Sequence, residues 1–232
     1  MMVDYTKRPS SAAANNGGGG GSGSMVTLTK AAPAVSLRKQ GATMSGELRV
    51  NLNWNPRPAG ASATGGLLKR LTAAVQTSAI DLDLCCLYEL TDGTKGVVQA
   101  LGNAFRSTNR GAPIIALDGD DRSGNSTAGE NLRIDLSRLA EIRRVLVFAF
   151  IYEGTPNWAG ADGVVTLHPH GSAPIEVRLD DSNPHARTCA IAMLENTGND
   201  LAVRREVRYI NGARSELDRT YGWGMHWSPG RK

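Results

Sequence analysis

Two groups of acidic residues have the types and spacing that could bind a metal ion. Asp81 and Asp83 alternate with apolar residues in the segment 80–90, so both side chains are expected on one face of a strand, with backbones roughly 6.6–7 Å apart. A second group places three carboxylates within four residues of a glycine-bearing loop: Asp118, Asp120 and Asp121. Like charges this close repel one another, so either a cation neutralises them or they are simply solvated.

Calcium is the cation that these residues favour, because it accepts six to eight oxygen ligands in flexible geometry, whereas magnesium keeps several waters. The loop does not match an EF-hand, since the fifth, sixth and twelfth positions counted from Asp118 are Arg122, Ser123 and Gly129. A metal would therefore be shared between loops, with Glu130 and Asn131 as further oxygen donors.

Other chemistry has less support in the sequence. His168 and His170 flank a proline and are expected on the surface, while Cys85, Cys86 and Cys189 are expected to be buried structural thiols. A redox role for Cys85 with Cys189 would need a depressed thiol pKa. Nucleophile elbows, phosphate loops and dinucleotide fingerprints are all missing from the sequence, so we do not expect an enzyme. The net charge of +4 comes from interspersed residues, so specific nucleic-acid binding is not expected either.

The elements that must position the acids are mainly strands. Alternating hydrophobicity predicts nine, several bounded by turn residues. Two short helices are also considered, one within residues 60–78 and one over 137–144 with Ser137 as N-cap, and Asn211-Gly212 predicts a hairpin turn. The pattern indicates an all-β, antiparallel sandwich with acidic calcium-binding loops and one or two short helices. The predicted strands cover residues 47–54, 80–90, 113–117, 132–136, 145–152, 163–167, 175–179, 188–194 and 201–210.

The domain organisation follows from composition. Residues 1–24 end in a Gly/Ser-rich stretch without an apolar cluster and are expected to be a flexible tail or linker, and residues 25–232 form one domain. The longest apolar run, 145–152, is too short to cross a membrane. The N-terminus lacks a signal-peptide core and three cysteines make no disulfide framework, so a cytoplasmic location is expected.

Several motifs, taken as a set, resemble one bacterial family. The stretches 80–83 (IDLD), 119–124 (GDDRSG) and 130–136 (ENLRIDL) are similar, in order and spacing, to signatures of the tellurium resistance TerD-like family. The stretches 35–37, 48–54, 98–103 and 221–227 resemble its TerA-like branch more closely. The resemblance covers about residues 26–232. Where the family has a second acidic block, this chain has 126–131 (STAGEN), which removes carboxylates from at least one of the family's two calcium positions.

The resemblance implies a β-sandwich that binds Ca²⁺ and serves a bacterial stress response associated with tellurite resistance. It further implies that the partners are other tellurium resistance or stress-response proteins in a membrane-associated complex, which places the protein in the cytoplasm or peripheral to the inner membrane. The metal-ligating residues expected are Asp81, Asp83, Asp118, Asp120, Asp121, Glu130 and Asn131. The alternative is a calcium-independent interaction module with a contact patch of Trp158, Trp223 and Trp227.

Overall fold

A computed structural model describes residues 24–37, 45–56, 80–119, 129–154, 156–180, 183–198 and 200–228. The described residues contain twelve strands and four short helical segments. The strands are Val26–Thr27 (β1), Ala34–Ser36 (β2), Glu47–Asn53 (β3), Asp81–Leu90 (β4), Lys95–Val98 (β5), Ile115–Leu117 (β6), Glu130–Asp135 (β7), Ile142–Glu153 (β8), Gly163–Pro169 (β9), Ile175–Leu179 (β10), Thr188–Asn196 (β11) and Leu201–Ile210 (β12).

The strands form two six-stranded sheets. The first sheet has the order β1-β10-β9-β3-β7-β6, and the second sheet has the order β2-β12-β11-β8-β4-β5. Neighbouring strands are antiparallel except for the short pair β1 and β10, which is parallel. The all-β prediction is therefore confirmed, with one parallel pair at the edge of the first sheet as a correction.

Alternation along the strands explains the core between the sheets. In β3, Leu48, Val50 and Leu52 point inward and are buried, while the intervening side chains lie on the outer face of the first sheet. The inward residues of β4 meet them from the second sheet, as the sequence predicts. Because residues two apart share a face, this register also fixes where the acids of β4 point.

The outer face of the second sheet is buried as well. The helix Arg214–Tyr221, hereafter the C-terminal helix, and Trp223 cover it, so both faces of β4 are inaccessible to solvent. The residues buried there form what we call the outer cluster: Cys85, Leu87, Leu146, Phe148, Ala190, Met193, Ile210, Leu217 and Trp223. A third layer thus covers a sheet face that the sequence analysis left open.

Three sequence predictions need correction or refinement. The Asn211-Gly212 hairpin is wrong, because β12 is followed by the C-terminal helix and not by another strand. The helical turn near Ser137 is present as a 3₁₀ helix, Leu136–Glu141, whose N-cap is Asp135. The possible helix within residues 60–78 lies outside the described residues, as do residues 1–23 of the predicted tail. Among the helices that the structure describes, none is long and apolar enough to cross a membrane.

Candidate functional site

Asp81 and Asp83 lie at the start of β4, in a part of the strand that β5 does not reach. The pairing of β4 with β5 begins at Cys86, so among the described strands the preceding residues of β4 pair only with β8. Both aspartates are nonetheless buried, and Asp83 is only 1% exposed. Burying a carboxylate is costly unless charge or hydrogen bonds compensate it, so the surroundings of both aspartates decide what this strand end can bind.

Glu130 joins this strand end from the opposite sheet. It is the first residue of β7, its side chain is buried, and its Oε2 accepts a hydrogen bond from the Leu84 backbone N–H at 2.5 Å. The amide that it binds belongs to the stretch of β4 that lacks β5. Glu130 therefore links the two sheets beside Asp83, as a candidate ligand should.

Asn131 and Asp118 have different surroundings from Glu130. Asn131 follows Glu130 in β7 and points to the outer face of the first sheet, where its Oδ1 accepts hydrogen bonds from Asn51 Nδ2 at 2.9 Å and Arg49 Nη1 at 3.3 Å. Asp118 Oδ1 accepts a hydrogen bond from Arg133 Nε at 2.6 Å. That ion pair raises the pKa of the Arg133 guanidinium and neutralises Asp118. These two predicted ligands are thus held on the outer face, apart from Glu130.

The other two predicted ligands, Asp120 and Asp121, lie outside the described residues. Within the described ranges, no group of three or more His, Cys, Asp or Glu side chains is assembled closely enough to hold a metal. The acidic loop rejoins the fold at Gly129, which has φ of +61° and lies so close to β3 that an added Cβ would be 2.2 Å from the Leu52 carbonyl oxygen. Gly129 therefore lies directly against β3, in a position that leaves no room for a side chain.

The structure adds a positive charge that the sequence analysis missed. Arg214 is the first residue of the C-terminal helix, and its Cζ lies 4.1 Å from the centre of the Phe150 ring. Phe150 is the β8 neighbour of Asp83. Burial raises the pKa of the Cys85 thiol well above its ordinary value, Asp83 and Glu130 raise it further, and Arg214 opposes them. The charges of Asp83, Glu130 and Arg214 therefore all act on the Cys85 thiol.

The remaining candidates are structural. Cys85, Cys86 and Cys189 are free and buried, as predicted, and burial raises the pKa of Cys86 too, so neither neighbouring thiol has the character of a nucleophile. The expected tryptophan patch is wrong, because Trp158 and Trp223 are fully buried. Burial, together with the charge of Arg49, lowers the pKa of His168.

Comparison with known proteins gives one relative at substantial identity. The chain is similar to the tellurium resistance protein TerA of Alcaligenes sp., with 46% identity over 209 residues. The match covers 90% of this chain but 59% of the relative, so the chain spans about three-fifths of that protein's length. No protein-family model matches the chain.

Two solved structures resemble the fold. The protein of unknown function SAV2460 has a TM-score of 0.51 and 15% identity, covering 78% of this chain and 98% of that protein. A homologue of the telluride resistance protein TerD from Streptomyces coelicolor A3(2) has a TM-score of 0.47 and 18% identity, covering 75% of this chain and 95% of that protein. At 15% identity, the first likeness shows that the fold occurs in another protein and nothing about activity.

Proposed function

The resemblance to the tellurium resistance TerD-like family is confirmed, because the chain is related to TerA over 90% of its length; from this relationship we propose that the protein is a non-enzymatic, calcium-binding module of the tellurium resistance stress response. In this proposal, Ca²⁺ neutralises the acids at one end of the sandwich and orders the adjoining loop. The ordered end then forms a surface for a partner protein.

The burial of three carboxylates at one end of the sandwich supports this proposal most directly. Asp81 and Asp83 come from β4 and Glu130 comes from β7, and Glu130 accepts a hydrogen bond from the β4 backbone at Leu84, next to Asp83. Carboxylate oxygens are ligands for hard cations, and the region offers few softer donors because its nearest thiol, Cys85, is held protonated by burial. This donor set fits calcium better than zinc or copper.

We propose different roles for the acidic and amide side chains. Asp81, Asp83 and Glu130 would hold the ion from the two sheets, and Asp120 and Asp121 would complete the shell from the loop. Asp118 and Asn131 serve mainly to anchor that loop, since their hydrogen bonds to Arg133 and Asn51 hold them on the outer face of the first sheet.

Isothermal titration calorimetry with CaCl₂ and MgCl₂ tests the proposal. We expect calcium to bind more tightly than magnesium, and Asp83→Asn and Asp120→Asn each to weaken calcium binding by about tenfold or more, because each removes charge and a ligand. Asp180→Asn is the matched control. Asp180 is 72% exposed, and its ion pair with Arg205 is long, at 3.9 Å. Glu130→Gln shows whether the β7 carboxylate completes the site.

Calcium affinities that are equal in all these variants would contradict a shared site. Absence of calcium binding in the unmodified protein would leave the alternative, a calcium-independent interaction module. In that module the loop acids would be solvated and any contact surface would exclude the buried Trp158 and Trp223.

The partners in this proposal are other tellurium resistance or stress-response proteins in a membrane-associated complex, as the family resemblance implies. We expect the partner-binding surface to include the calcium-ordered loop. Affinity capture with a defined resistance protein, in calcium and in EGTA, tests this, and equal capture in both would refute a role for calcium in assembly.

A further inference from the structure

The buried guanidinium of Arg214 has unusually few partners for a charged group. Arg214 is 8% exposed, and its Cζ lies over the Phe150 ring. Its Nε and Nη2 atoms are inaccessible to solvent and have no hydrogen-bond partner in the part of the chain that the structure describes. A buried cation of this kind normally has a carboxylate beside it, because an unpaired buried charge is strongly destabilising.

The acids that can balance this charge lie at the start of β4. Phe150, on which the guanidinium rests, is directly opposite Asp83 in the register of β8 and β4. Asp83 and Cys85 share the outer face of the second sheet, and the thiol of Cys85 is influenced by both Asp83 and Arg214. Arg214 therefore holds a positive charge one strand away from the proposed calcium ligands.

We propose that Arg214 is the resident counter-charge of the Asp81–Asp83 strand end, and that a divalent cation bound there competes with it. Without the ion, Arg214 stabilises the buried acids. With the ion, the two positive charges repel across the low-dielectric outer face, so Arg214 lowers calcium affinity. This inference rests on the proposed calcium site, and it makes the interactions of Arg214 depend on whether calcium is bound there.

The C-terminal helix carries this effect to the aromatic residues that follow it. Three residues after Arg214 the helix buries Leu217 in the outer cluster, and Asp218 accepts hydrogen bonds from Gly224 N, Met225 N and Trp227 Nε1. Weakening the hold of Arg214 on the sheet therefore loosens the segment 223–227. We expect calcium to change the environment of Trp227.

Calorimetry and thermal melting of Arg214→Gln test the competition. We expect this variant to bind calcium at least about threefold more tightly than the unmodified protein, because a nearby positive charge is removed. Its calcium-free melting temperature should be lower, so that its stabilisation by calcium is larger. Arg219→Gln on the same helix is the control, because Arg219 is exposed and pairs with Glu216; it should change neither quantity.

A second variant keeps the test decisive if Arg214→Gln folds poorly. Arg214→Lys retains the charge and should keep calcium affinity within about twofold, because the Coulomb term is preserved. An unchanged calcium affinity in Arg214→Gln, beside an unmodified protein that binds calcium, overturns the competition. A protein that binds no calcium overturns the calcium proposal itself, and the competition with it.

Tryptophan fluorescence tests the transmission to the C-terminal segment. Trp54 donates from Nε1 to the carbonyl of Ile80 at 2.9 Å, next to Asp81, so it would report calcium directly and must be replaced by Phe. In that background, we expect calcium to shift the emission, and Arg214→Gln to remove most of the shift. An equal shift in both proteins would refute transmission through Arg214.

Discussion

The carboxylate of Asp218 fastens the end of the described chain to the outer face of the second sheet. Its two oxygens accept hydrogen bonds from Gly224 N at 2.9 Å, Met225 N at 3.0 Å and Trp227 Nε1 at 3.0 Å. Asp218 is itself buried beside Leu217 in the helix. Asp218→Ala removes all three bonds at once and leaves three donors to find other partners.

The expected cost follows from these contacts. Hydrogen bonds to a charged acceptor contribute roughly 1.5–3 kcal/mol each. Met225 and Trp227 are only partly buried, so water can satisfy their donors, and we expect a total loss of about 3 kcal/mol. For a chain of this size, that loss lowers the melting temperature by about 6–12 °C.

Thermal unfolding followed by far-UV circular dichroism measures the loss. Asp180→Asn is the control, since Asp180 is 72% exposed and its 3.9 Å ion pair with Arg205 should contribute less than about 1 kcal/mol. If Asp218→Ala melts at the same temperature as the unmodified protein, the segment 223–227 is not held by this carboxylate and our account of the third layer is wrong.

Three further predictions concern the loop, the charges and the thiols. Gly129→Ala should destabilise the protein by about 2 kcal/mol or more and weaken calcium binding, because the new Cβ meets the Leu52 carbonyl oxygen; unchanged urea denaturation would contradict this. Burial alone would raise the pKa of Glu89, but hydrogen bonding to Arg144 and the nearby positive charges hold it below its usual 4.5. The stabilisation that ionised Glu89 gives the folded state is therefore complete above about pH 4.5 and is lost as the pH falls further. The difference in unfolding free energy between the unmodified protein and Glu89→Gln should shrink between pH 7 and pH 3.5. The three buried thiols are those of Cys85, Cys86 and Cys189. They should not react with a disulfide exchange reagent until guanidinium unfolds the chain, and rapid reaction of the native protein would refute their burial.

Strand alternation was enough to predict most of the sandwich. The predicted strand 47–54 corresponds to Glu47–Asn53, and 201–210 corresponds to Leu201–Ile210, because a half-buried strand shows its two faces directly in the sequence. The C-terminal helix gave no such signal. It buries Arg214 and Asp218 beside Leu217, and a helix that packs through polar groups lacks the apolar stripe that sequence reading depends on.

The candidate site was only partly predictable for a similar reason. Alternation predicts that Asp81 and Asp83 share one face of β4, and it also implies that Glu130 and Asn131 face opposite sides of β7. It could not show that Arg133 pairs with Asp118 from 15 residues away, or that Arg214, 131 positions after Asp83, lies over Phe150, the β8 neighbour of Asp83. Pairing across a sheet is set by topology, which short-range patterns do not encode.

The covered outer face has a consequence for synthesis. Tyr88 is made early, yet its carbonyl accepts a hydrogen bond from Trp223 Nε1, which is translated 135 residues later. Until Trp223 has left the ribosome, the apolar side chains of Leu87, Leu146 and Phe148 lack their cover. A nascent chain stalled between β12 and Trp223 would therefore expose an apolar sheet face. It should bind chaperones that do not bind the folded protein.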